Sequence, residues 1–383
     1  MLKTNIIFFI ASLLFTAFIT TPNVFAAIAI NEYPIPISSD YPTDMTYGPN
    51  GNIWFTESGS NEIAEINSAG TITEYTVPTS DSAPYSPVVG PNGNIWFVEY
   101  TGNKIGEVTT AGVFTEYTIP TSNSGSTYIT KGPNGNMWFT EMRSNKIGEV
   151  TPAGVFTEYA IPTSNSAPYG IAEGSDGNLW FAEQSGNKIG EVTTAGVFTE
   201  YAIPTSGSGA YSVAEDSNGN IWFDEQYGNK IGEVTTAGVF TEYTIPTTNS
   251  IPMDIQADSN GNIWFTEHQG NKIGEVTTSG TFTEYAIPTS GSMPFGVAED
   301  ASGNIWFTES GSDKIGEIAI APVSNPPVST NSSSTTNPSP DPPDTGFGQP
   351  ASSSPLLIVL AACASVSFGA GLRLLYRQNR PSI

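Results

Sequence analysis

Seven tryptophans recur at a constant spacing of 42 residues, and this spacing constrains the fold more than any other feature of the sequence. They are Trp54, Trp96, Trp138, Trp180, Trp222, Trp264 and Trp306. A repeat in the low forties with strand-like content is typical of a β-propeller, in which each repeat forms one four-stranded blade. The sequence therefore predicts an all-β fold, a seven-bladed β-propeller over residues 27–320.

One repeat shows how a blade is expected to form. Residues 169–173 and 178–183 flank a Ser-Asp-Gly turn, which is typical of a β-hairpin. Residues 188–193 and 197–203 follow after two further turns and predict the third and fourth strands. Each repeat thus accounts for four strands.

The last repeat ends after its third strand, and the N-terminal segment supplies the missing fourth strand. Residues 31–36 read Asn-Glu-Tyr-Pro-Ile-Pro and match the Thr-Glu-Tyr-x-Ile-Pro of the fourth strands elsewhere. Tyr33 precedes Trp54 by 21 residues, in phase with the equivalent tyrosines of the other repeats. We expect residues 31–36 to complete the seventh blade, which leaves no open ring for other chains to pair with.

The N-terminus carries the features of an export signal. Lys3, an apolar run over residues 6–19 and Val-Phe-Ala before Ala27 predict a secretory signal peptide over residues 1–26. A retained membrane helix is the alternative, although the apolar run is short for a membrane span.

The C-terminal region is predicted to be a stalk followed by a membrane anchor. Residues 321–354 are rich in Pro, Ser, Thr and Asn and predict a disordered stalk. Residues 355–376 predict a transmembrane anchor, and the basic tail over residues 377–383 is expected to stay in the cytoplasm. This orientation predicts a monomeric propeller on the extracellular face of a bacterium, attached to the cell wall or plasma membrane.

A short motif precedes the predicted anchor. Residues 342–346 read Pro-Pro-Asp-Thr-Gly and resemble the Leu-Pro-x-Thr-Gly signal of sortase substrates. The resemblance implies that a sortase cleaves between Thr345 and Gly346 and attaches the protein to the cell wall. A plain single-span anchor is the alternative.

The composition excludes one class of partner. The chain carries 37 acidic and 12 basic residues, a formal net charge of −25. This charge repels the phosphates of nucleic acids and anionic headgroups, so we expect no nucleic-acid partner and membrane contact only through the anchor. Cationic ligands and divalent metals are better suited. The single cysteine, Cys363, lies in the predicted anchor, so no disulfide is expected in the propeller.

The residue eleven positions before each tryptophan varies within an otherwise constant repeat. These residues are Thr43, Tyr85, Thr127, Tyr169, Tyr211, Met253 and Phe295. We expect them at one mouth of the central channel, each facing the residue four positions after its tryptophan. A binding surface for an aromatic, cationic or sugar-like ligand is predicted at Tyr85, Tyr169, Tyr211, Met253 and Phe295. Plugging of the channel entrance by these side chains is the alternative.

A glutamate follows each tryptophan by three positions. These are Glu57, Glu99, Glu141, Glu183, Glu225, Glu267 and Glu309. One interpretation is a ring of carboxylates at the mouth that binds Mg²⁺ or Ca²⁺ and in which mutual repulsion raises the proton affinity. The other is a hydrogen-bonding device repeated in every blade, which the strict repetition favours.

Two repeated motifs resemble those of the virginiamycin B lyase family. They read A-P-Y-G-I-A-E-G-S-D-G-N-L-W-F-A-E over residues 167–183 and G-N-K-I-G-E-V-T-T-A-G-V-F-T-E-Y over residues 186–201. The resemblance extends over all seven blades and implies a propeller fold. Members of this family open the lactone ring of type B streptogramins by magnesium-assisted elimination, with histidines in a P-H-G-I version of the first motif and glutamates nearby.

The family's histidines are replaced in this chain. Their positions in the later blades hold other residues, namely Tyr169, Tyr211, Met253 and Phe295. None of these takes a proton at neutral pH, so the general base implied by the resemblance is missing.

The metal ligands implied by the resemblance are present only in part. A ligand in the W-F-x-E position corresponds to Glu309 or Glu267, which this chain retains. The glutamate two residues before the histidine corresponds to Ile251 or Met293, which bind no metal.

The single histidine, His268, lies four residues after Trp264. It is expected to face Met253 across the hairpin, beside Glu267, and is a candidate replacement for the missing base. An exposed loop histidine is the alternative.

Two functions are compatible with these observations. The first is a non-catalytic surface protein whose mouth binds an extracellular small molecule, glycan or protein. The second is a divalent-metal-dependent lyase that opens a lactone ring with Glu267, Glu309 and His268. No G-x-S-x-G motif, His/Cys metal motif or phosphate-binding loop supports hydrolysis or nucleotide chemistry.

Overall fold

A computed structural model of the chain describes residues 29–36 and 41–320. These residues form seven four-stranded antiparallel sheets and contain no helix. The first strand of each sheet contacts the first strand of the next, and the first strand of sheet seven contacts that of sheet one. The predicted seven-bladed β-propeller is therefore confirmed.

The strands of the first four blades follow the N-terminal strand β1 (Ile30–Pro34). Blade one consists of β2 (Pro42–Tyr47), β3 (Ile53–Glu57), β4 (Glu62–Ile66) and β5 (Ile72–Thr76). Blade two consists of β6 (Pro84–Val89), β7 (Ile95–Glu99), β8 (Lys104–Val108) and β9 (Phe114–Thr118). Blade three consists of β10 (Ser126–Lys131), β11 (Met137–Glu141), β12 (Lys146–Val150) and β13 (Phe156–Ala160). Blade four consists of β14 (Pro168–Glu173), β15 (Asn178–Glu183), β16 (Lys188–Thr193) and β17 (Phe198–Ala202).

The last three blades repeat the same order. Blade five consists of β18 (Ala210–Glu215), β19 (Ile221–Glu225), β20 (Lys230–Val234) and β21 (Phe240–Thr244). Blade six consists of β22 (Pro252–Ala257), β23 (Ile263–Glu267), β24 (Lys272–Val276) and β25 (Phe282–Ala286). Blade seven consists of β26 (Pro294–Glu299), β27 (Ile305–Glu309), β28 (Lys314–Ile318) and β1.

The strand bounds predicted for blade four agree closely with the structure. The second and third strands match, and the first begins one residue earlier, at Pro168. The fourth strand is shorter than predicted by one residue at each end.

Each blade packs around the same aromatic pair. Trp180 is fully buried and stacks on Tyr201, with ring centroids 5.5 Å apart. The hydroxyl of Tyr201 donates to Glu191 Oε2 at 2.9 Å, which satisfies the polar end of a half-buried ring. The equivalent pairs stack in the other six blades. The constant spacing of tryptophan therefore reflects a core that is repeated blade by blade.

A polar contact holds the crossover that enters each of blades two to seven. The Lys188 ammonium lies 2.7 Å from Glu200 Oε2 and donates to Thr163 Oγ1 in the preceding crossover at 2.6 Å. Glu200 Oε1 also accepts the backbone N–H of Thr163 at 3.0 Å. One lysine and one glutamate of a blade thus fix the segment that enters it.

The N-terminal strand closes the ring, as predicted. β1 pairs antiparallel with β28, from Ile30 opposite Ile318 to Pro34 opposite Lys314. Tyr33 stacks on Trp306 at 5.7 Å, and its hydroxyl donates to Glu317 Oε2 at 2.8 Å. The seventh blade therefore has the same core as the other six, although its strands come from both ends of the propeller.

The predicted signal peptide, stalk, sorting motif with Thr345 and Gly346, membrane anchor and basic tail lie outside the described residues. Within the described part of the chain, no helix is long and apolar enough to cross a membrane.

Candidate functional site

A pocket of about 220 Å³ lies at one mouth of the central channel. Seven residues line it: Tyr85, Tyr100, Thr127, Tyr128, Tyr169, Tyr211 and Phe295. We call it the tyrosine pocket. Four of the five predicted binding residues, Tyr85, Tyr169, Tyr211 and Phe295, are thus brought together by the blades that carry them. Their role in binding stays a prediction.

Tyr211 lies at the centre of the aromatic contacts in this pocket. Its ring centroid is 4.5 Å from that of Tyr169, and it makes edge contacts with Tyr128 at 6.0 Å and Phe295 at 6.2 Å. Only 8% of Tyr211 is exposed, whereas Tyr169 and Phe295 are partly exposed. The floor of the pocket is therefore a fixed aromatic cluster.

Arg143 supplies a positive charge next to the pocket. Its guanidinium lies over the ring of Tyr100, 4.5 Å from the centroid, and Nη2 donates to the Tyr100 hydroxyl at 2.7 Å. A further hydrogen bond from Nη1 to Asn123 Oδ1, at 2.6 Å, holds the side chain. Since Tyr100 lines the pocket, a cationic ligand would meet this charge at the rim.

The fifth predicted binding residue, Met253, does not line the tyrosine pocket. It packs against the same hydrophobic cluster as Tyr169 and Phe295, and its sulfur accepts a hydrogen bond from Gln226 Nε2 at 2.7 Å. Sequence reasoning missed Tyr100 and Tyr128. Tyr100 stands four residues after a tryptophan, where the other blades have smaller or different side chains.

The pairing expected between the first two strands is wrong. We expected the residue eleven before each tryptophan to face the one four after it, but Pro168, twelve before, pairs with Glu183, three after. The turn is centred on Asp176, and a β-bulge between Pro168 and Ile171 adds a residue to the first strand. The same shift occurs in all seven blades.

His268 consequently does not face Met253. Its backbone N–H donates to Ile251 O at 3.1 Å, and its ring turns toward the next blade. There Nδ1 lies 3.2 Å from Pro294 O, and the ring is 6.4 Å from Phe295 in an edge arrangement. Burial lowers the pKa of His268, although the hydrogen bond to Pro294 opposes this, so the imidazole is neutral at physiological pH. It is half-buried rather than an exposed loop residue.

The seven glutamates that follow the tryptophans are fully buried and do not line the tyrosine pocket. Turn serines donate to several of them, as Ser144 does to Glu141 Oε2 at 2.6 Å and Ser312 to Glu309 Oε2 at 2.8 Å. The serine contact occurs in blades one, three and seven only, so it is not the device predicted for every blade. Both carboxylate oxygens of the other four glutamates have no hydrogen-bond partner among the described residues, namely in Glu99, Glu183, Glu225 and Glu267. The two glutamates predicted to bind metal, Glu267 and Glu309, lie in this buried position with the others.

Blade one departs from the repeat beside its glutamate. Glu62 stands where the other six blades have the crossover lysine. Carboxylate oxygens of Glu57, Glu62 and Glu74 lie within 4.8 Å of one another. Blade one therefore has three carboxylates where the other blades have two carboxylates and an ammonium group.

A second ring of residues lines the channel beneath the tyrosine pocket. It comprises the residues ten before each tryptophan: Asp44, Ser86, Tyr128, Gly170, Ser212, Asp254 and Gly296. We call it the channel ring. Asp44, Tyr128, Ser212 and Asp254 line a cavity of about 340 Å³ that continues toward the opposite face. Sequence reasoning missed this ring, although two aspartates inside predicted strands were a signal, since aspartate is depleted in strands.

The comparisons with known proteins agree on one family. The model of the virginiamycin B lyase family matches residues 22–264 and 249–335. A streptogramin B lyase structure is 39% identical, with a TM-score of 0.73 over 76% of this chain and 96% of that chain. Virginiamycin B lyase from Staphylococcus aureus is also 39% identical, with a TM-score of 0.73 over 76% of this chain and 99% of that chain.

A third similar structure is that of an inactive variant. It is a catalytically inactive histidine-to-alanine variant of the Staphylococcus aureus enzyme with quinupristin. It is 38% identical, with a TM-score of 0.73 over 76% of this chain and 99% of that chain. No curated protein matches the chain.

Proposed function

The chain belongs to the virginiamycin B lyase family, and from this premise we propose that it is a non-catalytic, surface-anchored protein whose tyrosine pocket binds an extracellular ligand. One observation carries the proposal. The residues that line the pocket offer aromatic faces and hydroxyl groups, and none of these described residues is a carboxylate or an imidazole. Such a lining binds and orients a ligand but has no group that exchanges a proton near neutral pH.

The size of the pocket limits what it can enclose. At about 220 Å³ it is smaller than the roughly 300–1,000 Å³ of sites that enclose drug-sized ligands. It therefore accommodates one ring of a larger molecule, such as an aromatic group or a sugar unit, with the rest outside. Stacking on Tyr169 and Phe295 would hold the ring, and the Arg143 charge disfavours a cation at the rim.

Surface attachment is part of this proposal. The predicted signal peptide, stalk and anchor support it, as does the sortase-like motif around Thr345 and Gly346. On the cell surface, a binding propeller would meet small molecules, glycans or proteins from outside the cell.

Binding is tested by calorimetric titration of the full-length chain with a panel of aromatic and monosaccharide ligands. We expect Tyr169→Ala and Phe295→Ala each to weaken binding by about tenfold, since a stacked aromatic contact is worth about 1 kcal/mol or more. Tyr47→Ala is the matched control, because Tyr47 lies at the opposite end of the first strand of blade one. Equal weakening by the control, or no effect of either pocket variant, would refute a ligand site in this pocket.

The second candidate function is a lactone-opening, divalent-metal-dependent lyase. It is favoured by the similarity to streptogramin-modifying enzymes and by the neutral imidazole of His268 beside Phe295. The residues present do not fit the family's magnesium ion. Ile251 and Met293 replace one expected ligand, and Glu267 and Glu309 are buried and lie outside the tyrosine pocket.

The two functions are separated by incubating the full-length chain with a type B streptogramin, with Mg²⁺ or with a chelator, followed by chromatography. We expect the lactone to stay intact under both conditions. Chelator-sensitive ring opening that is lost in His268→Ala would establish the lyase and contradict the binding function.

A further inference from the structure

Two aspartates of the channel ring are buried without a basic partner. Asp44 is 7% exposed and Asp254 is 6% exposed, and both line the 340 Å³ cavity. None of the described residues that line this cavity is lysine or arginine. Because an unpaired buried carboxylate is strongly unfavourable, each must be neutralised by a proton or by a cation that enters the channel.

Glycine allows blade seven to pack closely against Asp44. Gly296 of blade seven lies between Asp254 of blade six and Asp44 of blade one in the channel ring. A Cβ at Gly296 would come within 2.7 Å of Asp44 Cα and 3.0 Å of Asp44 Oδ1. A side chain at this position would therefore displace Asp44 from its place in the ring.

Two hydroxyl groups add to the oxygen atoms available as metal ligands. Ser212 Oγ donates to Asp254 Oδ1 at 2.9 Å, and the backbone N–H of Val297 donates to Asp254 Oδ2 at 3.0 Å, so this carboxyl group is held in place. Tyr128 lines the same cavity, and its buried hydroxyl has no hydrogen-bond partner among the described residues. The charges of Asp254 and Asp44 act on this hydroxyl, and a buried hydroxyl without a partner points to a ligand in the cavity.

We propose that the channel ring binds one hydrated divalent cation, of the Mg²⁺ or Ca²⁺ class, between Asp44 and Asp254. Carboxylate, hydroxyl and water oxygens are the ligands that these cations prefer, and Mg²⁺ in particular is often held by one or two carboxylates while it keeps several waters. A water occupies about 30 Å³, so the cavity has room for the ion and part of its hydration shell. This site lies beneath the tyrosine pocket and shares Tyr128 with it, but ion binding does not depend on the pocket's ligand.

The groups around the aspartate pair supply no compensating positive charge. The titratable ones are Tyr128, Tyr211 and Asp224, with Glu173 and Glu215 lining the same cavity. Burial raises the pKa of both aspartates, because a buried negative charge is poorly solvated. A bound cation would supply the missing positive charge.

The test is a calorimetric titration of the metal-depleted, full-length chain with MgCl₂ and with CaCl₂. We expect one ion bound per chain. Asp44→Asn and Asp254→Asn should each weaken binding by more than about tenfold, and Ser212→Ala, which only loosens Asp254, should weaken it several-fold.

Two controls locate the ion. Asp81→Asn removes an exposed acidic charge at a position where three other blades have asparagine, and it should leave binding unchanged. Glu62→Lys removes a carboxylate from the blade-one triad and should also leave binding unchanged. Loss of binding in Glu62→Lys but not in Asp44→Asn would place the ion in blade one and overturn the proposal, as would the absence of binding in the unmodified chain.

Discussion

Burial determines the protonation of the glutamates that follow the tryptophans. It raises the pKa of Glu183 to about 8 and that of Glu267 to about 7, and a nearby glutamate of the fourth strand adds to the effect. From the sequence, we expected these pKa values to be raised by mutual repulsion among seven carboxylates at the mouth of the channel. Glu200, the fourth-strand glutamate near Glu183, behaves in the opposite way. Burial alone would raise its pKa, but hydrogen bonds from Lys188 and Thr163 hold the pKa below its ordinary value.

These shifts predict a decrease in stability as the pH rises above about 5. A carboxyl group whose pKa is raised by folding stabilises the protein fully below its unfolded pKa, near 4.5, and that contribution is lost as the pH rises toward 8. Below about pH 4.5, glutamates such as Glu200 lose their contribution instead. We therefore expect the free energy of unfolding, measured by chemical denaturation, to be greatest near pH 5–6 and lower at about pH 8.

A single isosteric substitution tests the cause. Glu183→Gln replaces a neutral carboxylic acid by a neutral amide, so it should reduce the slope of stability against pH between about 5 and 8 by one proton's contribution. Glu173→Gln, at a partly exposed position, is the control and should leave the slope unchanged. An identical slope in Glu183→Gln would contradict the raised pKa.

At the scale of the blade, a blade that departs from the repeat can be compared directly with the blades that keep it. In blades two to seven the crossover lysine lies close to a glutamate of the fourth strand, at 2.6–3.4 Å. In blade one Glu62 takes the place of that lysine, and three carboxylates gather. Blade one should accordingly be the least stable part of the ring at neutral pH.

Restoring the repeat should stabilise the propeller. Glu62→Lys would place an ammonium group beside Glu57 and Glu74, as in the other six blades, and should raise the free energy of unfolding by about 1–2 kcal/mol. Glu62→Gln, which removes only the negative charge, should give a smaller gain. A melting temperature that does not rise in Glu62→Lys would show that the crossover ion pair contributes nothing at this position.

The channel shows which features the sequence predicted and which it did not. The spacing of tryptophan predicted the blades and brought Tyr85, Tyr169 and Tyr211 to one mouth. Alternation along a strand predicts that neighbouring residues point to opposite faces, which would put Asp44 and Tyr128 away from the residues eleven before each tryptophan. The β-bulge in each first strand breaks this alternation, so two successive residues reach the channel, and a bulge leaves no clear mark in the sequence.

At the scale of the whole molecule, the ring depends on a strand contributed from the other end of the propeller. β1 supplies the outer strand of blade seven, the stacking partner of Trp306 and, through Glu32, the carboxylate that faces Lys314 at 3.4 Å. Without it, β28 would present an unpaired edge and Trp306 would lose its cover. Closure is therefore a requirement of both stability and solubility.

Removal of β1 should have both effects. A chain that begins at residue 37 should be less stable than one that begins at residue 27 by more than about 3 kcal/mol, because it loses a five-residue ladder and a buried aromatic contact. The exposed edge of β28 should also promote association, measured by light scattering. Tyr33→Ala is the matched variant and should lower stability without association. A monomer of unchanged melting temperature would contradict closure by β1.

The position of β28 within its sheet has a mechanical consequence. The propeller's last strand is not outermost, since Ile318 pairs with Ile30 on one side and with Ile305 on the other. Tension applied to the chain beyond Ile320 would thus act on a strand that is hydrogen-bonded to a neighbour on each side. A terminal strand at the edge of the sheet would be hydrogen-bonded on one side only. Such a force would have to break two ladders of hydrogen bonds before it opened the propeller.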